Sequence, residues 1–591
     1  MWHHRIGSTP DSDAMRFRRA GRWRTLTWAD AGDQVRALAN ALLSEGVALE
    51  DRCVVLAATS VQWILADLGV LSAGCATTTI YPKSSDRELK FIVSDSEAVV
   101  VFTDTAAQVD RLRQIRDEVP QVRRVVVFDP AAADGDWVVS FDAFEAKGRA
   151  WAAEQPEAYV ERRQQIEPGH MATLMYTSGT TGRPRGVILD HEAWVYKAAA
   201  IDALGVLDPS DVQFLWLPLS HVFAKVLQLT FIRLGIPTVV DGSAEDLGDN
   251  LRATQPTWMA AVPETFERAR RTIEAQITHK RDRTAFRWAM AVGRRRSAVL
   301  RRGGRPGVLL RAQWQVVDRL VMREIRARFG GRMRFLISGG APLPPELAEF
   351  FHAAGLLILE GYGLTESTAA CCVNRPDNAR FGTVGLPLPG CEIRIAPDGE
   401  VLIGGPGLMR GYWRDNGTEN PFTQDGFLKT GDIGLLLPTG QLQITGRKRE
   451  IIVTSSGKNI APAHFEQLLR TRCTYVSQVV MHGDDRPFCS ALLTLDPEAI
   501  TSWATEHGVP TDSVGANAQI HELIQGYVDA VNRTLPSFEQ VRRFAVLDEP
   551  FTESNGLLTP SRKVRRGRVQ QRYAAVLDAF YSAPGRVFSS N

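Results

Sequence analysis

The alternation of helix-like and strand-like segments is the feature that most limits the fold of this chain. Between residues 26 and 128, amphipathic stretches alternate with short runs of β-branched residues. The helix-like stretches are 28–45, 61–73 and 85–94, and the strand-like runs are 53–56, 98–102 and 124–128. This order is typical of βαβ units, which place parallel strands in one sheet with helices on its faces. The alternation resumes after Met171. The first two-thirds of the chain is therefore predicted to be a large, multi-layer α/β body of doubly wound sheets.

The texture of the sequence changes twice towards the C-terminus. From about 375 to 447, short strands are separated by Gly and Pro, which predicts a small antiparallel, β-barrel-like subdomain. After Arg449, further strands and a helix near 463–470 predict a smaller α+β unit. We expect a large N-terminal domain over 1–448, which includes the subdomain, and a smaller, mobile C-terminal domain over 449–591. A chain of 591 residues is too long for one hydrophobic core, so several packed units are expected.

The charge and cysteine content exclude some classes of partner. Sixty-nine basic and 67 acidic residues give a net charge of +2, so no global field marks nucleic acid or an anionic membrane as the main partner. The arginine-rich region 281–327 has Val, Leu and Trp at helical spacing, which favours a solvated amphipathic helix pair over a nucleic-acid site. Seven cysteines without a C-x-x-C pair argue against a disulfide framework or a thiolate zinc site and favour a reducing cytosol.

The sequence shows no segment with the character of an export signal or a membrane span. The N-terminus is polar and basic, without an apolar core. The longest apolar segment, 63–81, contains Asp67 and several Gly and Thr residues, so it is predicted to be a buried helix followed by a strand. We expect a cytoplasmic protein without a transmembrane segment. Peripheral membrane contact and a homo-oligomer stay open.

A loop of Ser, Thr and Gly between two apolar runs carries the clearest chemical signal. Residues 171–190 read MATLMYTSGTTGRPRGVILD. Gly179 and Gly182 allow backbone amides to converge on an anion, and Arg183 and Arg185 add positive charge. Hydroxyl donors come from Thr177, Ser178, Thr180 and Thr181. Such a loop suits a triphosphate, and a flexible linker is the alternative interpretation. The Walker A pattern G-x-x-x-x-G-K-[ST] does not occur, which argues against a P-loop NTPase.

YTSGTTGRPRG resembles the YTSGTTG-x-PKG signature of the adenylate-forming, or AMP-binding, superfamily, which includes acyl-CoA synthetases. Arg185 stands where that family usually has lysine. Arginine keeps the charge but is bulkier and forked. Only ten of the 69 cationic residues are lysines, so a tolerated substitution is the preferred interpretation. The alternative is a catalytically silent nucleotide- or lipid-binding relative.

Two further motifs follow in the order that the resemblance implies. PLSHVFA contains His221, which in such enzymes lies between the phosphates and the carboxylate substrate. LISGGAPL ends a predicted strand at Gly339, Gly340 and Ala341, and in family members this segment lines the adenine pocket. A single histidine beside an apolar strand is more often a packed core residue, and two glycines can form an ordinary turn. The order of the motifs favours the functional roles.

EGYGLTES resembles the GYG-x-TE motif of the same family. The resemblance implies that Tyr362 and Gly363 contact adenine, that Thr365 lies at the α-phosphate, and that Glu366 is a magnesium ligand. A carboxylate is a suitable hard oxygen donor for that ion. A capped helix start near Thr365 is the structural alternative for this segment alone.

Two motifs near the predicted domain boundary extend the resemblance. KTGDIG places Asp432 where family members bind the ribose hydroxyls, a task that suits an acceptor-only carboxylate. TGRKRE resembles the family's GR-x-K segment, which implies that Arg447 contacts the nucleotide and that Arg449 is the hinge of the rotating C-terminal domain. A charged turn at a domain boundary is the alternative interpretation.

Two segments of the predicted C-terminal domain complete the set. The loop of Ser455, Ser456 and Gly457 is expected to line the path of the pantetheine arm of CoA. NGLLTPSRKVRR resembles the LTPT-x-K segment of bacterial long-chain acyl-CoA synthetases, which makes Lys563 the adenylation lysine. A lone lysine in a basic run is usually solvated, so this assignment depends on the resemblance.

The resemblance implies a long-chain fatty acid–CoA ligase that uses ATP, Mg²⁺ and CoA. The carboxylate of a fatty acid is adenylated, and the acyl group is then transferred to CoA. The catalytic set is Lys563, His221, Glu366 and Arg185. One alternative is an acyl-AMP ligase that loads a carrier protein, although the long insertion after the GYG-x-TE region that is typical of such relatives is missing. Luciferase-like oxidation and amino-acid activation stay open on the same fold.

Overall fold

A computed structural model of the chain describes residues 1–177, 184–277, 280–415, 420–511, 513–559 and 563–582. The strands, in chain order, are β1 (Asp13–Arg19), β2 (Arg22–Thr27), β3 (Arg52–Leu56), β4 (Ala76–Ile80), β5 (Val100–Thr103), β6 (Arg124–Val127), β7 (Val138–Ser140), β8 (Met171–Thr177), β9 (Arg185–Asp190), β10 (Gln213–Leu215), β11 (Thr238–Val240), β12 (Trp258–Ala261), β13 (Phe335–Ser338), β14 (Ile358–Leu364), β15 (Ala369–Val373), β16 (Leu386–Pro387), β17 (Glu392–Ile395), β18 (Glu400–Gly404), β19 (Gly411–Tyr412), β20 (Leu428–Leu436), β21 (Leu442–Arg447), β22 (Ile452–Val453), β23 (Asn459–Ile460), β24 (Val476–His482), β25 (Cys489–Leu495) and β26 (Val541–Leu547).

The α-helices, in the same order, are α1 (Trp2–Ser8), α2 (Trp28–Ser44), α3 (Val61–Ser72), α4 (Asp86–Asp95), α5 (Ala106–Gln114), α6 (Phe141–Glu154), α7 (Ala158–Gln164), α8 (His191–Asp202), α9 (Val222–Leu234), α10 (Leu247–Thr254), α11 (Pro263–Ala275), α12 (Lys280–Arg301), α13 (Val308–Val317), α14 (Arg323–Ala327), α15 (Pro345–Ala353), α16 (Pro462–Arg472), α17 (Pro497–His507), α18 (Ala518–Asn532), α19 (Arg566–Arg572) and α20 (Ala574–Ser582).

An eight-stranded sheet has the order β19-β9-β8-β4-β3-β5-β6-β7. From β3 the chain proceeds to β4 on one side and to β5 on the other, all in parallel, which is the doubly wound arrangement predicted from the alternation. Its two faces pack on different helices: Val55 faces the core that includes α2 and α3, whereas Val54 faces α4 and α5. Local signals set the helix starts, because Thr27 and Ser85 each form a capping box at the start of α2 and α4.

A nine-stranded sheet has the order β16-β15-β14-β13-β12-β10-β11-β1-β2. Its central strands from β14 to β1 are parallel, and β15, β16 and β2 are antiparallel additions at the two edges. One hydrophobic core joins this sheet to the first, since residues of both sheets and of α2, α3 and α9 belong to it. The apolar segment 63–81 lies inside this body as α3 followed by β4, as predicted.

A four-stranded antiparallel sheet, β17-β18-β20-β21, forms the predicted small β subdomain. Two short strands from the same stretch of sequence belong elsewhere: β16 pairs with β15 and β19 pairs with β9. The stretch 375–447 therefore fastens the two large sheets together, in addition to forming its own sheet.

The C-terminal part has a core of its own. Strands β24, β25 and β26 form one sheet, with β22 and β23 as a separate hairpin. Helices α16, α17 and α18 cover the three-stranded sheet around a cluster that includes Phe465, Leu493 and Ile524. This is the smaller α+β unit predicted from the sequence.

The arginine-rich region 281–327 forms the predicted helix pair, but with an unexpected orientation. Helices α12 and α13 pack on one another and on the main core. Four apolar side chains of the second segment nevertheless face solvent, namely Val308, Leu309, Val316 and Leu320. Across the described ranges, no helix combines the length and the apolar character needed to cross a bilayer.

Candidate active site

The predicted site residues of the large domain lie where parallel strands end. Thr177 ends β8, His221 follows β10, Gly339 follows β13, and Tyr362 lies near the end of β14. Ligands of open α/β sheets bind in the crevice outside the carboxyl ends of the strands. The two large sheets are joined at this edge, because the Thr79 hydroxyl of β4 donates to the Ser220 carbonyl at 2.9 Å.

His221 caps the helix that follows it. Its Nδ1 atom accepts a hydrogen bond from the backbone amide of Phe223 at 3.1 Å, at the start of α9. Burial lowers the pKa of His221 to about 4, and the positive charge of Lys563 adds to this effect. The imidazole is therefore neutral at physiological pH, and its proton resides on Nε2 because Nδ1 is an acceptor. His221 offers a ligand one N–H donor rather than a positive charge.

The turn after β13 begins at the buried Gly339 and reaches the surface at Gly340. A Cβ atom on Gly339 would lie 3.1 Å from Cζ of Phe223, and Gly340 has a φ of +81°. Both positions favour glycine, the first for space and the second for its left-handed backbone. Ala341, the next residue, is exposed. Phe223 ties this turn to the His221 loop, so the two predicted motifs are neighbours in space.

Tyr362, Asp432 and Arg447 form one hydrogen-bonded group. The Tyr362 hydroxyl donates to Oδ2 of Asp432 at 2.6 Å, and Nε of Arg447 lies 2.8 Å from Oδ1 of the same carboxylate. Asp432 on β20 is directly opposite Arg447 on β21 in the antiparallel register. Burial raises the pKa of Asp432, and the neighbouring Arg447 opposes this rise. The group unites residues from the large sheet and the β subdomain.

The remaining residues of the GYG-x-TE motif shape a tight corner. A Cβ atom on Gly363 would lie 1.8 Å from the Ala369 carbonyl oxygen, where β14 and β15 pair next to an irregularity in register. Thr365 begins a 3₁₀ turn, Thr365–Ser367, that presents Glu366. Glycine is required here because the returning strand occupies the space of any side chain.

Glu366 is held by Tyr412, which is distant from the predicted phosphate loop in sequence but lies beside Arg185 in space. The Tyr412 hydroxyl donates to Oε1 of Glu366 at 3.0 Å. The Tyr412 ring lies 3.6 Å from Cζ of Arg185, and Nη2 of Arg185 is 3.4 Å from Oδ2 of Asp415. Arg185 is thus stacked and paired beside the loop, and Thr177 donates its hydroxyl to the Arg185 carbonyl at 3.5 Å.

Glu366 also has the chemistry expected of a magnesium ligand. Among the described residues, no group of three or more His, Cys, Asp or Glu could hold a metal ion. A single carboxylate suits Mg²⁺ when substrate phosphates and water supply the other oxygens. Within the same ranges, Oε1 is the only carboxylate oxygen of Glu366 in a hydrogen bond, so Oε2 is available.

Lys563 comes from the far end of the chain into the same cleft. Burial among protein atoms lowers the pKa of its ammonium, as does the nearby Arg447, whereas the negative charges of Asp432 and Glu366 oppose this. Its side chain is nevertheless accessible to solvent, as in a water-filled cleft. Lys563 also acts on the pKa of His221. The structure therefore brings together five predicted residues from distant motifs.

Several polar contacts hold the Lys563 segment and its domain in this position. The Thr559 amide donates to the Lys563 carbonyl at 2.8 Å, and the Lys563 amide donates to the Thr559 hydroxyl at 3.0 Å. Ion pairs between described residues that join the C-terminal part to the large domain include Arg565–Glu88 at 3.3 Å, Arg470–Glu267 at 2.9 Å and Arg271–Asp496 at 2.9 Å.

Some predicted residues lie outside this cluster. The phosphate-loop residues Ser178, Gly179, Thr180, Thr181 and Gly182 are outside the described residues. Arg449 is exposed in a 3₁₀ turn, Lys448–Glu450, between β21 and β22. The turn of Ser455, Ser456 and Gly457 joins β22 to β23 and hydrogen-bonds to Arg486 of its own domain.

Sequence reasoning missed three residues beside the site. Tyr412 sits in a short Gly-Tyr strand, whose sequence carries no signal of a contact with Glu366. Glu360 accepts a hydrogen bond from the Leu343 amide at 2.9 Å, and burial raises its pKa to about 8. An acidic residue in an apolar strand was the available signal. Lys197 is only 1% exposed, and its Nζ is 3.6 Å from Sγ of Cys371.

These features describe an α/β protein of two parts, in which the smaller C-terminal part places a lysine close to Asp432 and Glu366 of the larger part. A model of the AMP-binding enzyme family matches residues 2–413, and a model of the AMP-binding enzyme C-terminal domain matches residues 449–584. The chain belongs to the AMP-binding enzyme family.

Sequence similarity to fatty-acid–CoA ligases and acyl-CoA synthetases covers nearly the whole chain. The long-chain-fatty-acid–CoA ligase FadD15 of Mycobacterium tuberculosis is 36% identical over 95% of this chain and 93% of its own length. The peroxisomal long chain acyl-CoA synthetase 6 of Arabidopsis thaliana is 29% identical over 96% of this chain and 82% of its own.

Solved structures share the fold at low sequence identity. An anthranilate CoA ligase, AuaEII, in complex with anthranoyl-AMP has a TM-score of 0.73 at 19% identity and covers 98% of this chain and 97% of its own. The o-succinylbenzoate CoA synthetase MenE of Bacillus subtilis, in complex with ATP and magnesium, has a TM-score of 0.67 at 21% identity, with 96% and 98% covered.

Proposed function

We propose that this chain is a long-chain fatty acid–CoA ligase. In the first step, a carboxylate oxygen of the fatty acid attacks the α-phosphorus of ATP, which forms acyl-AMP and releases pyrophosphate. In the second, the CoA thiolate attacks the acyl carbon, which forms the thioester and releases AMP. The observation that carries the proposal is the position of Lys563 within electrostatic reach of His221, Glu366 and Asp432.

The residues of the cleft have distinct tasks in adenylation. The Lys563 ammonium neutralises charge that develops on the carboxylate and the α-phosphate, and it acts most strongly in a preorganised site of low polarity. His221 donates its N–H without adding charge. Arg185 attracts the outer phosphates from beside the loop 177–182. Because the charges are prearranged, most of the catalysis is positioning and electrostatic stabilisation.

The nucleoside is held by residues of two domains. Asp432 accepts hydrogen bonds from the ribose hydroxyls, and Arg447 fixes the orientation of that carboxylate. The turn of Gly339, Gly340 and Ala341, exposed at its last two residues, and the ring of Tyr362 provide flat surfaces for adenine. Gly363 and Thr365 continue this wall towards the α-phosphate.

A magnesium ion fits the donor set. Glu366 would hold it, with Tyr412 orienting the carboxylate through Oε1. When bound, the ion supplies positive charge at the phosphate oxygens. Tyr412, stacked on Arg185, keeps the carboxylate in place whether or not the ion is present.

The second step requires a different arrangement of the two domains. We place the boundary at residues 448 and 449, with Arg449 as the hinge of the C-terminal domain. Rotation withdraws Lys563 and brings the turn of Ser455, Ser456 and Gly457 towards the CoA thiol. The interdomain ion pairs at Arg565, Arg470 and Arg271 are all half-buried, with water able to reach both partners, so each can break during turnover.

The test separates the two half-reactions. Purified Lys563→Ala enzyme is supplied either with palmitate and ATP or with palmitoyl-AMP and CoA. We expect fatty-acid-dependent pyrophosphate release to fall at least about a hundredfold and thioester formation from palmitoyl-AMP to be retained. Lys83→Ala, at an exposed position, is the matched control and should leave both steps intact.

Other outcomes distinguish the rival functions. Acyl-AMP that accumulates without thioester when CoA is present identifies an acyl-AMP ligase, which loads a carrier protein. No pyrophosphate release with any acid from C2 to C24 identifies a silent nucleotide- or lipid-binding relative. Equal loss of both half-reactions in Lys563→Ala removes the assigned role of that lysine. A cytoplasmic location with peripheral membrane contact, and a homo-oligomeric state, belong to the same proposal.

A further inference from the structure

Helix α13 and the turns that follow it carry a row of apolar side chains on their outer surface. We name this row the outer ridge: Leu309, Ala312, Val316 and Leu320. The residues are spaced by three, four and four positions, which places them on one helical face. All four are exposed, with Leu309 at 74% and Leu320 at 67%. Val308, at 77%, lies beside the first turn of the ridge.

The exposure of the ridge does not come from a detached helix. Val317, Met322 and Ile325 on the opposite face are buried in the main core. Trp314 packs against the same core, and its ring lies 4.3 Å from Cζ of Arg296 on α12. The segment is therefore a fixed part of the surface, and its outer ridge is what it presents to the surroundings.

Such a concentration of exposed apolar side chains is unusual within this protein. Among the large hydrophobic residues that are exposed in the described part of the chain, the three most exposed are Val308, Leu309 and Leu320. Val316 belongs to the same segment and Trp288 to the neighbouring helix α12, whereas the others, such as Val160 and Phe538, lie in separate regions of the sequence. Single exposed apolar residues need no explanation, whereas a contiguous patch marks an interaction surface.

Exposed arginines outnumber acidic residues along the ridge: Glu324, four positions beyond Leu320, is also exposed and lies 3.8 Å from Arg328. The exposed arginines of residues 302–323 are Arg302, Arg305, Arg311, Arg319 and Arg323. Their side chains have no ion-pair partner among the described residues, and Asp318, the one acidic residue of this stretch, is paired with Arg326 at 2.7 Å. The neighbouring helix α12 adds exposed Arg287, Arg294 and Arg295 together with half-exposed Trp288.

We infer that the outer ridge and its arginines form a docking surface for an anionic lipid bilayer. Aliphatic side chains enter the boundary between headgroups and acyl chains, while the flanking guanidinium groups bind lipid phosphates. The charge argues against a second copy of the chain, because two such faces would bring unpaired arginines together. It argues less against nucleic acid, but protruding leucines contribute nothing to phosphate contacts. The combination favours a membrane.

This surface gives the enzyme access to its substrate, a point that rests on the proposed function. Long-chain acids reside mainly in membranes because each buried methylene favours the lipid phase by about 0.8 kcal/mol. A ligase docked on the bilayer collects the acid where it is concentrated. Docking itself depends only on the surface and requires neither ATP nor turnover.

The experiment measures binding of the full chain to vesicles by flotation. The vesicles are phosphatidylcholine alone, or phosphatidylcholine with about one-third phosphatidylglycerol. We expect wild-type protein to float with the anionic vesicles at low salt and to dissociate as salt rises. Leu309→Ser with Leu320→Ser should weaken partitioning about tenfold or more on both lipids. Arg311→Gln with Arg319→Gln should weaken it about tenfold on the anionic vesicles alone.

A matched variant controls for loss of surface leucines in general. Leu435 and Leu436 are also exposed, at the end of β20 and away from the ridge. Leu435→Ser with Leu436→Ser should bind vesicles like the wild type. Circular dichroism and pyrophosphate release in lipid-free buffer confirm that each variant is folded. If those two readouts are normal, a change in flotation reports the surface alone.

Several results would overturn the inference. Wild-type protein that floats with neither vesicle removes the docking surface. Serine variants of the ridge that bind like the wild type assign any docking to another region. Binding to duplex DNA that the arginine variants abolish, without vesicle binding, assigns the surface to nucleic acid. A concentration-dependent dimer that the ridge variants dissociate assigns it to self-association. Normal flotation without any ligase activity leaves the surface intact and refutes the proposed function instead.

Discussion

The hydroxyl of Tyr412 offers the sharpest test of how the site holds Glu366. In Tyr412→Phe, the donor that lies 3.0 Å from Oε1 of Glu366 is removed, while the ring 3.6 Å from Cζ of Arg185 is kept. Burial raises the pKa of this hydroxyl, so it is a protonated donor at every pH of interest. The substitution therefore deletes one hydrogen bond and leaves the stacking unchanged.

The expected loss follows from the kind of hydrogen bond. A hydrogen bond to a charged group contributes about 1.5–3 kcal/mol. Glu366 is only half-buried, so water replaces part of the lost donor and the lower end applies. A loss of about 1.4 kcal/mol corresponds to a tenfold fall in kcat/KM. We expect that fall in the adenylation step, with a higher Mg²⁺ concentration for half-maximal rate.

The assay is fatty-acid-dependent pyrophosphate release, titrated with MgCl₂, beside thioester formation from supplied acyl-AMP and CoA. The thioester step should be unaffected, because Glu366 acts on the triphosphate alone. Tyr196→Phe is the matched control, since the Tyr196 hydroxyl donates at 2.9 Å to the Pro389 carbonyl, outside the site. An unchanged Mg²⁺ dependence in Tyr412→Phe, or an equal loss in both steps, would refute the reasoning.

Three further predictions concern binding and stability. Asp432→Asn removes the charge that Arg447 pairs with at 2.8 Å, so the KM for ATP should rise about tenfold or more in the pyrophosphate assay. Gly363→Ala forces a methyl group to 1.8 Å from the Ala369 carbonyl oxygen, and urea unfolding should show a loss of about 3 kcal/mol. The pKa of Glu360 is raised to about 8 from an ordinary 4.5, so the folded protein binds the extra proton. The free energy of unfolding should therefore fall by up to about 1.4 kcal/mol for each unit that the pH rises between these two values. Glu360→Gln should flatten this slope.

Each of these has its own control and its own contrary result. Asp249→Asn removes an exposed ion pair with Arg252 on α10, outside the site, and an equal rise in KM would deny Asp432 a specific role. Gly526→Ala in α18 meets no atom within 4 Å and should be neutral or stabilising, so a loss like that of Gly363→Ala would discount the clash. An unchanged pH slope in Glu360→Gln would mean that the carboxyl is not neutral in the folded protein.

Local signals in the sequence predicted many elements of the fold, although others, such as β1, β2 and α6, were not predicted. The helix predicted at 61–73 appears as Val61–Ser72, and the strand predicted at 124–128 appears as Arg124–Val127. These succeeded because caps, β-branched runs and hydrophobic periodicity act over a few residues. The parallel, doubly wound order also followed, since short βαβ connections admit few topologies.

The sequence did not predict which side chains from different helices and strands contact one another. Nothing near Gly411 predicts that Tyr412 will contact both Arg185 and Glu366, because β19 joins an edge strand from a distant part of the chain. The contact between Lys563 and the charges of the cleft likewise depends on how one domain docks on another. Such pairs are chosen by packing between surfaces, which no local pattern encodes.

The sequence by itself determined the family, the order of the motifs and the chemical types at the candidate site, because those reside in short contiguous stretches. The tertiary structure alone decided which of these residues meet. It set the neutral state of His221 through burial and a neighbouring lysine. It also placed apolar residues of α13 at the solvent-facing surface. Helical spacing alone predicted a solvated amphipathic helix pair but not which of its faces would be exposed. Periodicity specifies that a helix has an apolar face, but only the packing of its other face against the core decides where that face points.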